Sequence, residues 1–400
     1  MRIVIIGGGF AGVWAAIAAA EERARRGGRG APLDIRLVSR DPWLTVRPRL
    51  YERSLDGVRV SLDSIVGTRG VDRLQGDVTR IDWLDRRLIV ATRSGPEVVQ
   101  YDRLVLAAGS ELNRPTIPGM DLAFDVDTFA QAEALDRHLR GVRGAWNVEA
   151  PAPIVVVGAG FTGIEVSTEL ASRLRSETPA AREALWRVVL VDSADVVGRD
   201  LSHDARRHAE RALRDLGIEL RLGRRVRSIE RDGVTLADGE RIRAAATIWT
   251  GGFRANPIAR ALPVDHDELG RIPVDEFLRV RGVPAIYAAG DIARVEVDAS
   301  LVAPMSCQYA IPMGTLAGSN AALDLFGADL APLSPAPYVT CLDLGDAGAL
   351  FTEGFGEHRE VKLTGYWAKR MKETINTRLI YPPVPNAASV GEPVPRASAA

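Results

Sequence analysis

The chain has 400 residues, 51 basic and 52 acidic, with a formal net charge of −1; 46% of its residues are hydrophobic. That length allows about two or three domains with sizeable cores, and a balanced charge gives no electrostatic case for nucleic acid. The only two cysteines, Cys307 and Cys341, are far apart. They exclude a disulfide framework and make a reducing, cytoplasmic setting the expectation, and no 18-residue apolar run predicts a membrane span.

The first element is the β-branched run Ile3-Val4-Ile5-Ile6, which leads into Gly7, Gly9 and Gly12 in a G-x-G-x-x-G spacing. Val13 to Ala20 then reads as a helix, so the turn has the strand-to-helix context of a dinucleotide site. The first glycine permits the tight turn, the second lets a pyrophosphate approach the backbone, and the third lets strand and helix pack closely. Glu21 to Pro32 reads as an exposed basic loop, and Asp34 to Ser39 as a second strand. A ribose-binding acid is expected at the end of that strand. Ser39 stands there instead, followed by Arg40. Both are assigned as adenosine contacts, with a plain turn as the alternative. Arg47 is read as facing a flavin or its phosphates, or as a solvated surface arginine.

Gly76–Asp82 and Arg87–Val90 read as strands of a small antiparallel meander. Tyr101–Ser110 reads as a buried strand ending in small residues, Ala108 and Gly109 among them. Pro115, Pro118 and Gly119 mark a break. The opening pattern then repeats: Ile154–Val157, Gly158, Gly160 and Gly163, and a helix through Ile164, Glu165 and Val166 to about Leu174. The following strand, Val188–Val191, ends in Asp192 after a long loop at 176–182. The second copy therefore has both the glycines and the acid, and two glycine turns imply two dinucleotides. Strands are expected over Gly223–Ile229, Gly233–Leu236 and Ala246–Thr250, the last running into Gly251 and Gly252. A final strand, Ala285–Ala289, ends in Gly290-Asp291. Beyond it, the pattern predicts a helix over Cys307–Leu325 and short strands over Tyr338–Leu344, Ala349–Thr352 and Arg359–Leu363. A helix over Tyr366–Leu379 and a disordered tail from Pro382 complete the chain.

With these motifs in order, residues 1 to about 325 resemble the FAD/NAD(P)-dependent pyridine nucleotide oxidoreductases. Within them the chain is most similar to the type II NADH dehydrogenases, with the apoptosis-inducing-factor-like reductases as relatives. The resemblance implies an α/β fold with two Rossmann-like dinucleotide-binding domains and a small C-terminal α+β region. FAD would take residues 1–117 and 251–325, NAD(P)H 118–250, leaving 326–381 as the C-terminal region and 382–400 as tail. Gly7, Gly9, Phe10 and Ala11 would hold the FAD pyrophosphate, and Gly290 and Asp291 its ribityl or pyrophosphate region. Val78, Ala108, Gly109, Cys307 and Gln308 would complete the FAD site. Gly158, Gly160, Phe161, Thr162, Gly163 and Gly252 would hold NADH.

Glu165 matches a glutamate near the nicotinamide and is taken, with Gln308, as catalytic. An exposed first-turn glutamate is the plainer alternative. Asp192 favours NADH over NADPH, because a carboxylate accepts from ribose hydroxyls and repels a 2′-phosphate. Quinone-reducing members carry an Ala-Gln-x-Ala-x-x-Gln-Gly-like helix start. Here the stretch is Cys307-Gln308-Tyr309-Ala310-Ile311-Pro312-Met313-Gly314, with Cys307 and Met313 departing from it. The acceptor thus stays open between a quinone, another small molecule and a protein carrier. A redox-controlled partner-binding flavoprotein and a tailoring oxidoreductase are the alternative functions. Disulfide reduction is disfavoured because residues 10–60 contain no cysteine, and no histidine spacing suggests a metal. Trp367, Met371, Ile375 and Leu379, with Lys369, Arg370, Lys372 and Arg378 alongside, form an amphipathic helix. Its apolar stripe is expected to pack on the body or at a homodimer interface, with the inner membrane surface as the alternative.

Overall fold

The computed structural model describes residues 1–26, 32–145, 153–177, 187–298 and 301–384. Most of the expected loop at 176–182, and the tail from residue 385, lie outside the described residues.

Two parallel sheets carry the two glycine turns. The first is six-stranded, in the order Arg279–Val280, Val283–Ala288, Arg103–Leu106, Arg2–Ile6, Asp34–Ser39 and Asp72–Gln75. All neighbours are parallel except the Arg279–Val280 edge. Its central strands are rich in Ile, Val and Leu because both faces are covered, by the Phe10–Arg26 and Cys307–Leu325 helices and by Ile81, Leu88, Val90 and Val99 of a neighbouring antiparallel meander. Ile3, Ile5, Leu37, Leu104 and Leu106 are fully buried. The second sheet has four parallel strands, Glu219–Arg221, Val188–Val191, Ile154–Val157 and Ala246–Trp249. Each sheet is accompanied by an antiparallel three-stranded meander, residues 77–100 and 226–243. The chain leaves the first sheet through Ser110–Leu112 and returns through Phe253–Ala255, and these two crossing strands pair antiparallel.

The first helix spans Phe10–Arg26. It absorbs the first six residues of the stretch read as a loop. The charged residues there are helix-compatible: Glu22 is buried and pairs with Arg25 and Arg26, and the basic last turn suits the helix dipole. This helix crosses the Cys307–Leu325 helix at small residues. A Cβ on Gly314 or Gly318 would overlap the backbone of Ala11 or Ala15. Pro312 sits in the sixth position of that helix. The C-terminal region is a three-stranded antiparallel sheet (Val339–Asp343, Ala349–Glu353, Glu360–Thr364). A helix over Gly365–Thr374 and a π turn over Ile375–Leu379 follow. Its fully buried Leu350, with Leu342 and Leu344, joins the core of the second sheet.

Of the stripe expected to pack inward on that last helix, Ile375 is half-buried against the first sheet's core, and the other three residues face outward. Trp367 and Tyr366 are 69% and 67% exposed, and Met371 and Leu379 also face outward. The inward face carries Ala368, Lys372 and Asn376. The polar residues point in because carboxylates meet them there: Lys372 donates to Glu165 at 2.7 Å and Asn376 to Glu52 at 3.2 Å.

Candidate active site

Both glycine turns sit where a strand at the centre of its sheet meets a helix. Gly7 and Gly158 have φ of 116° and 113°, a region that favours glycine. A Cβ on Gly7 would overlap the carbonyl of Ala107, and one on Gly12 the carbonyl of Gly7. Gly158 abuts Thr250, and Gly163 abuts the carbonyl of Gly158 in the same way. The middle glycines differ: a Cβ on Gly9 or on Gly160 would meet nothing within 4 Å. In both turns the outer glycines serve the chain's own packing and the middle one faces open space. That is the cradle a pyrophosphate needs at a helix N-terminus, so the residues present fit two dinucleotides.

Around the first turn, Phe10 and Ala11 are buried, and Gly290 (φ 75°) lies so close to Ala11 that any side chain there would clash. Asp291 is thereby set beside the turn. Its Oδ2 accepts from the Ser110 hydroxyl at 2.6 Å. Arg47 donates to Ser110 Oγ at 3.2 Å, lies 4.0 Å from Asp291 and pairs with Asp127. Arg47 is therefore part of a polar chain leading to Asp291, not a free surface cation. Ser110 and Asp127 escaped sequence reading; the position of Ser110 next to Gly109 was the available signal. Gly109 (φ 69°) has open space around it, and Ala108 is half-buried beside it. A small cavity next to Gly290 and Asp291 is lined by Arg271, Ser306, Tyr309 and Met313.

Ser39 is buried, but its hydroxyl donates to the Asp41 carbonyl at 3.0 Å, and Arg40 is exposed. Val78 is half-buried in the first meander. At the start of the 307 helix, both amide atoms of Gln308 are engaged with the chain. Nε2 donates to Pro337 O at 2.8 Å, and Oε1 accepts from Val339 N at 3.1 Å. Burial pushes the Cys307 thiol up to about 11, so it is a neutral thiol at ordinary pH.

Around the second turn, Phe161 and Thr162 are half-buried in the first helical turn. Asp192 ends its strand beside the glycines, where its carboxylate accepts from the N–H groups of Ala159 and Ala194. Gly252 (φ 86°) follows Thr250, whose hydroxyl donates to Val157 and Gly158 carbonyls at 3.0 Å.

Glu165 is one helical turn beyond Phe161 and is buried. Its Oε1 accepts from Lys372 Nζ at 2.7 Å and from Asp343 N at 3.1 Å. Burial raises the Glu165 carboxyl above its ordinary value, opposed by Lys372. Burial alone would lower Lys372, but Glu165 and its hydrogen bond bring the ammonium out above its ordinary value. The exposed first-turn glutamate is thus replaced by a buried ion pair, which tolerates burial only because each member has its partner. Asp343 extends the cluster: its carboxylate accepts from Lys369 Nζ at 2.6 and 2.7 Å and from Tyr51 OH at 3.0 Å. The Tyr51 ring centroid is 5.8 Å from Lys372 Nζ, and burial pushes the Tyr51 hydroxyl well up. Sequence reading placed Lys369 and Lys372 among flanking charges. Their spacing of three on one helix face was the missed signal.

Two parallel sheets, each with a glycine turn at its centre, and a buried ion pair beside the second define an α/β protein with two Rossmann-type units. A family model described as pyridine nucleotide-disulphide oxidoreductase matches residues 1–314, and the chain belongs to that family. It is 44% identical over 96% of its length to an NADH dehydrogenase-like protein of Mycobacterium tuberculosis, covering 95% of that protein. It is 28% identical to a type II NADH:quinone oxidoreductase of the same organism, over 84% of this chain and 75% of that one. Among solved structures, NDH2 from Plasmodium falciparum in complex with NADH superposes with a TM-score of 0.79 at 14% identity, covering 95% and 94% of the two chains. That last likeness concerns the fold.

Proposed function

We propose that this protein is an FAD-dependent NADH dehydrogenase that passes electrons to a quinone-like or other small acceptor. The observation that carries this reading is the pair of glycine turns whose middle residues face open space. The first turn, with Asp291, is assigned to FAD (residues 1–117 and 251–325). The second, with Asp192, is assigned to NADH (118–250), and residues 326–381 cover the site between them. The names of the two mycobacterial relatives support NADH as donor, and the second supports a quinone as acceptor.

FAD, when bound, supplies the hydride-accepting and electron-releasing chemistry. The chain supplies position and charge. Gly7, Gly9 and the N–H groups opening the Phe10 helix bind one pyrophosphate, and Asp291 orients the same cofactor through its free lone pairs. Gly160 and the N–H groups at Phe161 and Thr162 bind the other. Asp192 accepts from ribose hydroxyls with the lone pairs left by Ala159 and Ala194. The Glu165–Lys372 pair holds a proton at Nζ in a site shielded from water. Reducing a quinone to a quinol takes two electrons and two protons, and NADH brings only one hydride, so a proton must come from the protein side. With the acceptor bound against this pair, Lys372 would donate that proton and recover one from solvent, and Glu165 would hold the ammonium charged in between.

The outward Tyr366, Trp367, Met371 and Leu379, flanked by Arg370 and Arg378, favour a peripheral seat on an anionic membrane, where an apolar acceptor dissolves. Among the described residues no helix is long and apolar enough to cross a membrane. The test is direct. Purified protein should carry FAD, NADH should bleach its absorbance near ~450 nm, and a menaquinone analogue should restore it with turnover. Protein without flavin, or flavin that NADH leaves oxidised, would overturn the reading. Flavin reduction without turnover on any quinone would instead favour a partner-binding role.

A further inference from the structure

Three carboxylates and two arginines form a line through the two crossing strands, from Asp291 at the first glycine turn to Arg114. Each arginine has taken one acid: Arg47 pairs with Asp127, and Arg114 with the buried Asp125. Asp291 is the acid left over. Its side chain is 19% exposed, its Oδ2 accepts from the Ser110 hydroxyl at 2.6 Å, and Arg47 stops 4.0 Å away, beyond hydrogen-bond reach. Arg271, which lines the cavity beside Asp291, is engaged with Asp267 at 2.7 Å and with the Ala303 carbonyl at 2.9 Å. A carboxylate this shielded, held short of an ion pair, has lone pairs to offer to hydroxyl donors.

What stops Arg47 is Asp127, which the backbone fixes in turn. Its Oδ2 accepts from Leu112 N at 3.2 Å, and its own N–H donates to Asp125 Oδ1 at 2.9 Å. The guanidinium carbon of Arg47 lies 5.1 Å from the ring centroid of Phe253, the residue paired with Leu112 across the crossing strands. Nη1 of Arg47 donates to Ser110 Oγ at 3.2 Å, so the cation that Asp127 holds also steadies the hydroxyl on Asp291. Three residues before Asp127, Phe124 is hydrogen-bonded to the edge strand of the second sheet, through Thr247 and Trp249 at 2.9 and 2.8 Å. The acid that holds Arg47 is therefore set from the second sheet, while the carboxylate it protects belongs to the first. Without the Asp127 charge, Asp291 is the carboxylate left within 4.0 Å of Arg47. A charge-assisted bond would close that gap and fill the lone pairs of Asp291.

We propose that Asp127 is a positioning residue for the flavin site: by holding Arg47 it keeps the Asp291 carboxylate open to accept from the hydroxyl groups of FAD. This rests on the assignment of FAD to the first turn. It gives the crossing strands a part in cofactor binding beyond joining the two sheets. It also accounts for an arginine that stands beside Asp291 without bonding to it.

The test is FAD release from diluted holoprotein, read by the fluorescence of free flavin. Asp127→Asn should weaken FAD binding by about tenfold or more. Arg47→Met, which removes the cation, should stay within about threefold of wild type, and adding it to Asp127→Asn should restore binding to that level. ADP-ribose, which has a pyrophosphate and both riboses but no nicotinamide, probes the second turn and should bind all three variants alike by calorimetry. Wild-type FAD affinity in Asp127→Asn overturns the proposal. So does a double variant no better than Asp127→Asn, the result of a merely structural role. Loss of FAD from Arg47→Met alone also overturns it, because Arg47 would then be a ligand itself, as does a loss of ADP-ribose that matches the loss of FAD. If Asp127→Asn does not fold, the double variant decides: folded protein carrying FAD supports the proposal, and anything else overturns it. Wild-type protein that carries no flavin would instead overturn the assignment of FAD to the first turn.

Discussion

Glu165 and Lys372 lie 207 positions apart in the chain and 2.7 Å apart in space. Breaking such a pair from one side leaves a buried charge with no partner. Glu165→Gln should therefore cost about 3 kcal/mol of stability, read by denaturant unfolding, and lower acceptor turnover by about tenfold or more. The pH dependence follows from the direction of the shifts. The Lys372 ammonium is raised in the folded state, so its stabilisation is complete below the free lysine value and is lost as pH rises past it. Wild-type stability should fall on the alkaline side from about pH 10.4, and Lys372→Met should remove that fall. An alkaline limb that Lys372→Met leaves unchanged would contradict the assignment. Glu165 was singled out by the resemblance, as the glutamate just after the second glycine motif. Its partner was not, since nothing local to Lys372 says that a carboxylate from the other end of the chain will meet it. Gln308 shows the same limit: its identity was readable, but its two bonds to residues 337 and 339 depend on the C-terminal sheet.

At the scale of elements, the sheets were read well because each central strand is a short apolar run bounded by glycine, which no other arrangement explains as simply. The Cys307–Leu325 helix was also read to its ends. The His203–Asp215 helix was missed. It is mostly charged, and only Ala205, Ala209, Ala212 and Leu213 are buried. Such small apolar residues give a weak periodic signal. The last helix was read as a helix, but three of the four stripe residues expected inward face outward, although an apolar stripe is normally the buried one. Here Glu165 and Asp343 draw the lysine face in and leave Trp367 and Met371 outside. Replacing both with alanine should abolish cosedimentation with anionic vesicles and leave the melting temperature within ~2 °C, since neither is buried. Unchanged vesicle binding would place the membrane contact elsewhere. The close crossing of the first helix with the 307 helix makes a further prediction. Gly318→Val should destabilise the protein by about 3 kcal/mol, measured by denaturant unfolding, because the added side chain must displace the backbone of Ala15.

Taken whole, the molecule places two like units side by side and closes them with a third. The first sheet is interrupted after Leu106 and resumes at Arg279, with the second sheet inserted between. This nesting puts Asp291, nearly 300 residues downstream, beside the turn at residues 7–12. It was visible in the sequence only as a late strand ending in Gly-Asp. The C-terminal sheet contributes Asp343, Arg359 and, through its helix, Lys372 to surfaces formed by the other two. Its part in the site was not legible, because its sequence has no glycine turn or other motif to announce a ligand. The central claim is that the first turn holds FAD and the second holds NADH. Because a Cβ on either middle glycine would meet no protein atom within 4 Å, a small side chain there should spare the fold and block only the ligand. The most direct measurement compares Gly9→Val with Gly160→Val for flavin content and ADP-ribose binding on folded protein. Gly9→Val should lose FAD, and Gly160→Val should keep FAD at wild-type level and lose ADP-ribose. FAD retained in Gly9→Val, or lost from Gly160→Val alone, would contradict the account.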